Sequence, residues 1–219
     1  MKLGQLIVSA LTCSLVHAAP PENFSQAKRL AVSIYADHQE TFYCGCQYSN
    51  QGKKLVPKLE SCGYSVRKEQ NRAMRIEWEH VVPAEAFGHQ LQCWQDGGRK
   101  NCRKQSEVFR RMEADLMNLV PAIGEINGNR SNYSFTELQG ESDQYGACDF
   151  KVDFKERKAR PTRHIKGDIA RIYFYMRDTY RLNISKKQTQ LFLAWDRMDP
   201  IGDWEVKRQR RIRNIHQVN

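Results

Sequence analysis

The amino-acid sequence predicts an α+β fold, a mainly helical single domain with short strands. Three observations carry this. Apolar residues recur at helical spacing near both ends of the chain. Short alternating runs lie between those helices. No internal repeat, low-complexity linker or composition break divides the 219 residues, a length that suits one core.

Residues 1–18 read as an export signal. Lys2 supplies the positive end, Leu6 to Val16 are mostly apolar or small, and Val16-His17-Ala18 offers small residues for cleavage. Cleavage after Ala18 leaves a domain of residues 19–219. The apolar stretch is too short to span a bilayer, and no later one is long enough. Phe24, Ala27, Leu30, Ala31 and Ile34 predict a helix over 23–37. Residues 41–72 read as irregular loop with short strands. Residues 73–82 read as a strand ended by Pro83. Residues 88–106, rich in Gly, Lys and Arg, read as a loop. A second strand is expected over 115–120, with Pro121 opening a helix through Ile126. The alternation Asp149-Phe150-Lys151-Val152-Asp153-Phe154 predicts a half-buried strand. Ile165, Ile169, Ile172, Tyr173, Met176 and Tyr180 share one helix face. Ser185 with Gln188 forms a capping box before a helix through Trp195. A last helix starts near Asp203, and its Arg208, Arg210, Arg211 and Arg213 read as an exposed face or, alternatively, as a track for a phosphate backbone.

Of seven cysteines, Cys13 lies in the signal, and six remain: Cys44, Cys46, Cys62, Cys93, Cys102 and Cys148. An even number in an exported chain predicts three disulfides. Cys93 and Cys102 bracket the turn Asp96-Gly97-Gly98-Arg99 and are expected to pair. Cys44 and Cys46 are too close to bond each other, so they take Cys62 and Cys148 in either order. The absence of any Cys-x-x-Cys argues against zinc. The formal charge of +10 and a pI of about 9.3 favour a polyanion: nucleic acid, anionic lipid or acidic polysaccharide.

Chemistry concentrates in Arg75-Ile76-Glu77-Trp78-Glu79-His80-Val81-Val82-Pro83 and in Asn118 to Gly128. Phosphodiester hydrolysis needs a base, a cation near the phosphate and help for the leaving oxygen. His80 suits the base, since its ordinary pKa lies near neutral. Glu79 and Asn127 offer oxygen ligands, which favour Mg²⁺ over Zn²⁺. Arg99 suits a phosphate clamp. Neighbours on a regular strand face opposite ways, so Glu79 and His80 share a site only if the backbone bends or the site straddles the strand end.

Arg75 to Pro83, Cys93 to Cys102 and Met112 to Asn132 closely resemble bacterial endonuclease I, a family of exported nonspecific nucleases. The resemblance covers essentially the whole mature chain. It implies a ββα-metal (His-Me finger) core and a single Mg²⁺ on Glu79 and Asn127, with Mn²⁺ or Ca²⁺ able to replace it in binding. It implies that His80 activates water, that Glu113 orients His80, and that Arg99, Lys100 and Arg130 meet nucleic acid. DNA and RNA, single- or double-stranded, would be cut with little sequence preference to leave 5′-phosphate ends. The protein would act as a monomer in the periplasm or medium. Relatives often carry another cysteine pair near the C-terminus. Here Val206 follows Trp204-Glu205 with no late cysteine, so the terminal basic helix is expected to be less tethered.

Overall fold

The computed structural model describes residues 21–140 and 142–216. The expected signal segment lies outside them. Helix α1 (Phe24–Ile34) starts where the Asn23 side chain accepts the Gln26 N–H, and it buries Ala27, Ala31 and Ile34. Strands β1 (Tyr48–Gln51) and β2 (Lys54–Pro57) form an antiparallel hairpin. After α2 (Gln70–Ala73) comes β3 (Ile76–His80), followed by α3 (Ala84–Gly88), α4 (Gln92–Gln95), α5 (Gly98–Gln105) and α6 (Glu107–Ala114). Strand β4 (Leu119–Ile123) runs antiparallel to β3, pairing Ile76 with Ile123 and His80 with Leu119. It leads directly into α7 (Gly124–Arg130). Strands β5 (Ser134–Phe135), β6 (Lys151–Asp153) and β7 (Lys158–Arg160) make a sheet in the order β5-β7-β6. Helices α8 (Lys166–Tyr180), α9 (Lys186–Met198) and α10 (Asp203–His216) complete the chain. The fold is thus α+β, with short strands among helices. Among the described residues no helix is long and apolar enough to cross a membrane.

Two apolar clusters surround the β3–β4 pair. The larger one gathers Val81, Phe87, Phe109, Ile123, Ile126 and the inner faces of α8 and α9. The smaller one packs α1 and Ile212 of α10 against Leu116 and Leu119. Disulfides join Cys44 to Cys148, Cys46 to Cys62 and Cys93 to Cys102. That settles the order in which Cys44 and Cys46 take their partners.

Several elements differ from expectation. Residues 88–106 hold α4 and α5 rather than one loop. Asp96 and Gly97 separate the two helices, Gly98 opens α5 at φ 64°, and the Asn101 side chain donates to the Cys93 carbonyl to close the turn. Pro121 lies inside β4 opposite Trp78, and the helix begins at Gly124. Because β4 has a strand partner on one side only, the missing Pro121 N–H costs no ladder bond there. Its carbonyl accepts the Phe42 N–H.

The terminal helix is firmly held. Arg208 is buried, not exposed, and its Nη2 donates to the carbonyls of Leu116, Met117 and Leu119. Lys207 and Arg211 both pair with Asp37, and Glu205 pairs with Arg171. These contacts tether α10 without a cysteine. Replacing Arg208 with Ala strips three carbonyls, two of them buried, of a charged donor, an expected loss of about 2–3 kcal/mol in urea unfolding. Arg210→Ala, at an exposed position, should change stability by less than about 0.5 kcal/mol. Equal effects of the two substitutions would contradict the anchoring role.

Candidate active site

Strand β3, helix α5, helix α7 and the start of α1 meet around a cleft of about 1380 Å³. Glu79, His80, Arg99, Asn127 and Arg130 all border it, as do Phe24 and Glu77. Every residue of β3, from Ile76 to His80, borders the cleft, so the adjacent Glu79 and His80 share it. His80 is the last residue of the strand. Val81 N–H still donates to the Asn118 carbonyl at 3.1 Å, and only then does the chain leave the ladder: Val82 N–H donates to the Asn118 side-chain oxygen at 2.7 Å, and the Asn118 amide donates back to the Val82 carbonyl.

His80 is buried, 4.7 Å from the Phe24 ring and 6.3 Å from the Phe87 ring. Its Nε2 lies 2.8 Å from the Glu113 carbonyl oxygen. A carbonyl only accepts, so Nε2 carries the proton and Nδ1 keeps its lone pair. Burial drives the His80 pKa down to about 4, and the positive charge of Arg99 pushes the same way against the Glu113 carbonyl. The ring is therefore neutral at pH 7.

Glu79 is also buried, and its Oε1 accepts from Tyr43 Oη at 3.2 Å and Arg130 Nη1 at 3.1 Å. Burial pushes its pKa up to about 7, against the pull of Arg130. No side chain among the described residues engages its second oxygen. Asn127 Nδ2 donates to Glu77 Oε2 at 2.8 Å. Because a carboxylate accepts, this fixes the amide so that its Oδ1 is the available acceptor. Glu77 is itself held by Arg72 and Arg75 at 2.6 and 2.7 Å. Gly124 lets α7 approach this corner, since a Cβ there would sit 2.5 Å from the Arg72 carbonyl oxygen.

Glu113 reaches His80 through its backbone, not its side chain. Its buried carboxylate accepts from Arg99 Nε at 2.6 Å and from Arg103 Nε at 2.8 Å. Burial alone would raise its pKa, but Arg103 and Arg99 hold it below the ordinary carboxylate value. The Nη atoms of Arg99 make no hydrogen bond among the described residues. Lys100 is exposed on α5 and does not line the cleft. Arg130, expected to meet nucleic acid, is instead internal, with no exposed surface. Both of its Nη atoms are occupied by Glu79 and by backbone carbonyls, and its Nε is buried without a partner, so no fork remains for a phosphate.

Sequence reasoning did not single out Glu77, Tyr43, Arg103 or Glu125. Glu77 lies two residues before Glu79 on the same strand face, a signal open to inspection. Glu125 is fully buried and accepts the N–H groups of Arg67, Lys68 and Glu69, fixing the chain before α2. Among the described residues no group of three or more His, Cys, Asp or Glu side chains is placed to hold a metal. One carboxylate and one amide oxygen on a single cleft fit a hard cation that keeps most of its waters, which is the habit of Mg²⁺.

Residues 23–219 match the model of the family described as Endonuclease I. The chain is similar to a periplasmic deoxyribonuclease of Aeromonas hydrophila, 50% identical over 213 residues, which cover 97% of this chain and 90% of the relative. It is similar to Endonuclease-1 of Buchnera aphidicola subsp. Acyrthosiphon pisum, 48% identical over 194 residues, 89% of this chain and 77% of that one. An extracellular endonuclease of Pseudomonas fluorescens biotype A is 33% identical over 205 residues, 90% of this chain and 84% of that one.

The His80 geometry has a direct readout. Nitrogen-15 NMR of the imidazole at neutral pH, in EDTA, should show the neutral Nε2-protonated tautomer; an Nδ1-protonated or doubly protonated ring would contradict it. The lowered pKa also has a sign. Between the ordinary value of 6.5 and about 4 the unfolded chain binds a proton that the folded ring refuses, so this group's contribution falls with pH. His80→Asn should therefore gain stability relative to the parent protein as pH drops through that window.

Proposed function

Since the chain belongs to the endonuclease I family and is accordingly a nuclease acting on nucleic acid, we propose that it is an exported, Mg²⁺-dependent endonuclease hydrolysing DNA and RNA with little sequence preference. The observation that carries this reading is the neutral His80 with its free Nδ1 on the same cleft as the oxygens of Glu79 and Asn127. In this reading β3, β4 and α7 are the ββα-metal core.

His80 Nδ1 takes a proton from a water as that water attacks phosphorus. The bond from phosphorus to the 3′ oxygen breaks, the phosphate stays on the 5′ end, and the 3′ oxygen is protonated from solvent. The hydrogen bond to the Glu113 carbonyl keeps the ring aimed and stabilises the positive charge it acquires. Arg99, oriented by the Glu113 carboxylate, clamps a non-bridging oxygen. Bound by Glu79 and Asn127, Mg²⁺ would supply charge neutralisation at the phosphate and the leaving oxygen. None of these roles uses the 2′-hydroxyl, which supports activity on both DNA and RNA. Lys28, Arg29, Lys53, Lys54 and Arg75 border the same cleft and suit a phosphate backbone, whatever its sequence or strandedness.

Export is supported by the expected signal at residues 1–18, by three disulfides that need an oxidising compartment, and by relatives named periplasmic or extracellular. A monomer suffices, because one chain supplies every group named above.

Plasmid DNA incubated with the purified protein and Mg²⁺ should be nicked and degraded, and EDTA should stop this. His80→Ala should lose about 100- to 10,000-fold in turnover while still binding DNA. Cutting that persists undiminished in EDTA or in His80→Ala would refute the mechanism. The disulfide Cys93–Cys102 pins α5, which carries Arg99. Fully reduced protein should accordingly be poorly active and recover on reoxidation; full activity when reduced would show that the staple does not matter.

A further inference from the structure

Arg130 is a guanidinium with no exposed surface, lying at the border of a cleft that Lys28, Arg29, Lys53, Lys54 and Arg75 also line. Burying such a charge is costly unless it is well paired, so its partners report what holds it there. Nη1 donates to Glu79 Oε1 at 3.1 Å, to the His80 carbonyl at 3.1 Å and to the Ser131 carbonyl at 3.3 Å. Nη2 donates to the Val81 carbonyl at 2.5 Å, while the buried Nε has no hydrogen-bond partner among the described residues. The guanidinium also lies 4.4 Å over the Phe135 ring. Two of these acceptors are the backbone carbonyls at the point where the chain leaves the β3–β4 ladder. A third is the carboxylate read above as a cation ligand. Arg130 itself ends α7, the helix that supplies Asn127. The next residue, Ser131, has φ 51° and ψ −130°, a backbone conformation that a residue with a Cβ adopts only when its surroundings impose it.

We propose that Arg130 is a positioning residue for the nuclease reaction, tying Glu79 and the backbone of His80 to the helix that carries Asn127. It is not a phosphate contact. Through Oε1 it fixes the rotamer of Glu79 and leaves the second oxygen to the cleft. Through the His80 and Val81 carbonyls it sets the turn that lets both neighbours reach one site. Lysine has the charge but not the planar fork that reaches all four acceptors.

This inference rests on the Mg²⁺ reading above, and the test separates the two. Calorimetric titration of Mg²⁺ alone comes first, on the parent protein. A parent protein that takes up no Mg²⁺ overturns that reading, and the inference with it, before any variant is compared. Where the parent binds, folded Arg130→Lys should bind Mg²⁺ about 10- to 100-fold more weakly. Its kcat should fall by about 100-fold, while KM and the salt dependence of DNA binding in EDTA stay unchanged. Parental kcat and Mg²⁺ affinity in Arg130→Lys would overturn the proposal. So would an Arg130→Met protein that keeps kcat but whose salt slope for DNA binding falls by about one, the mark of a lost phosphate contact. Should neither variant fold, nitrogen-15 NMR of the parental guanidinium, assigned by its proximity to Phe135, decides the matter. Signals that shift with Mg²⁺ and ignore DNA in EDTA support positioning; signals that shift with DNA alone overturn it.

Discussion

Glu113 serves two groups at once. Its carbonyl holds the proton-bearing nitrogen of His80, and its buried carboxylate holds Arg99 and Arg103. The backbone atom fixes a tautomer; the side chain fixes the direction of a cation. Because α6 ends at Ala114, its last turn is where carbonyls lack helical partners, and the Glu113 carbonyl is free to accept from a side chain. The rest of the architecture keeps that turn in register with the end of β3. Asp115 caps the following turn by accepting the Met117 N–H and takes the hydroxyls of Tyr175 and Tyr180 of α8. Arg208 of α10 holds the next carbonyls.

A second brace runs through the other side of the cleft. Asn127 is set by Glu77, Glu77 by Arg72 and Arg75, and the chain around α2 by the buried Glu125. Each of these polar groups is wholly or partly removed from water, where an unmatched charge is costly and a matched one is rigid. The site is therefore built largely from paired groups, with a few atoms left over: His80 Nδ1, Asn127 Oδ1, the second oxygen of Glu79, the outer nitrogens of Arg99 and the buried Nε of Arg130. The residues that carry them border one cleft, which is what gives the arrangement its chemical direction.

Local features were legible from sequence, and tertiary ones were not. The spacing of apolar residues in α1, α8 and α9, the capping box at Ser185 and the pairing of Cys93 with Cys102 all depend on near neighbours, and they appear as expected. Helices α4 and α5 were hidden because adjacent glycines and a run of charged residues leave no apolar period to detect. Pro121 was misplaced because a proline looks alike at the first turn of a helix and on a strand with an open edge. Arg130 and Arg208 read as surface cations, since a sequence shows charge but not the carbonyls that a fold brings to it. The same limit hid the route from Glu113 to His80, because every residue has a carbonyl and only the fold selects one. Glu79, His80, Arg99 and Asn127 do border one cleft.

The central claim is that one cation site and one proton acceptor face each other across this cleft. Anomalous diffraction from crystals soaked in Mn²⁺ tests it most directly. The account predicts a single peak bonded to a Glu79 carboxylate oxygen and to Asn127 Oδ1, with a water within hydrogen-bond reach of His80 Nδ1. A peak on other residues, no peak at all, or an imidazole turned so that Nδ1 faces the Glu113 carbonyl would contradict it.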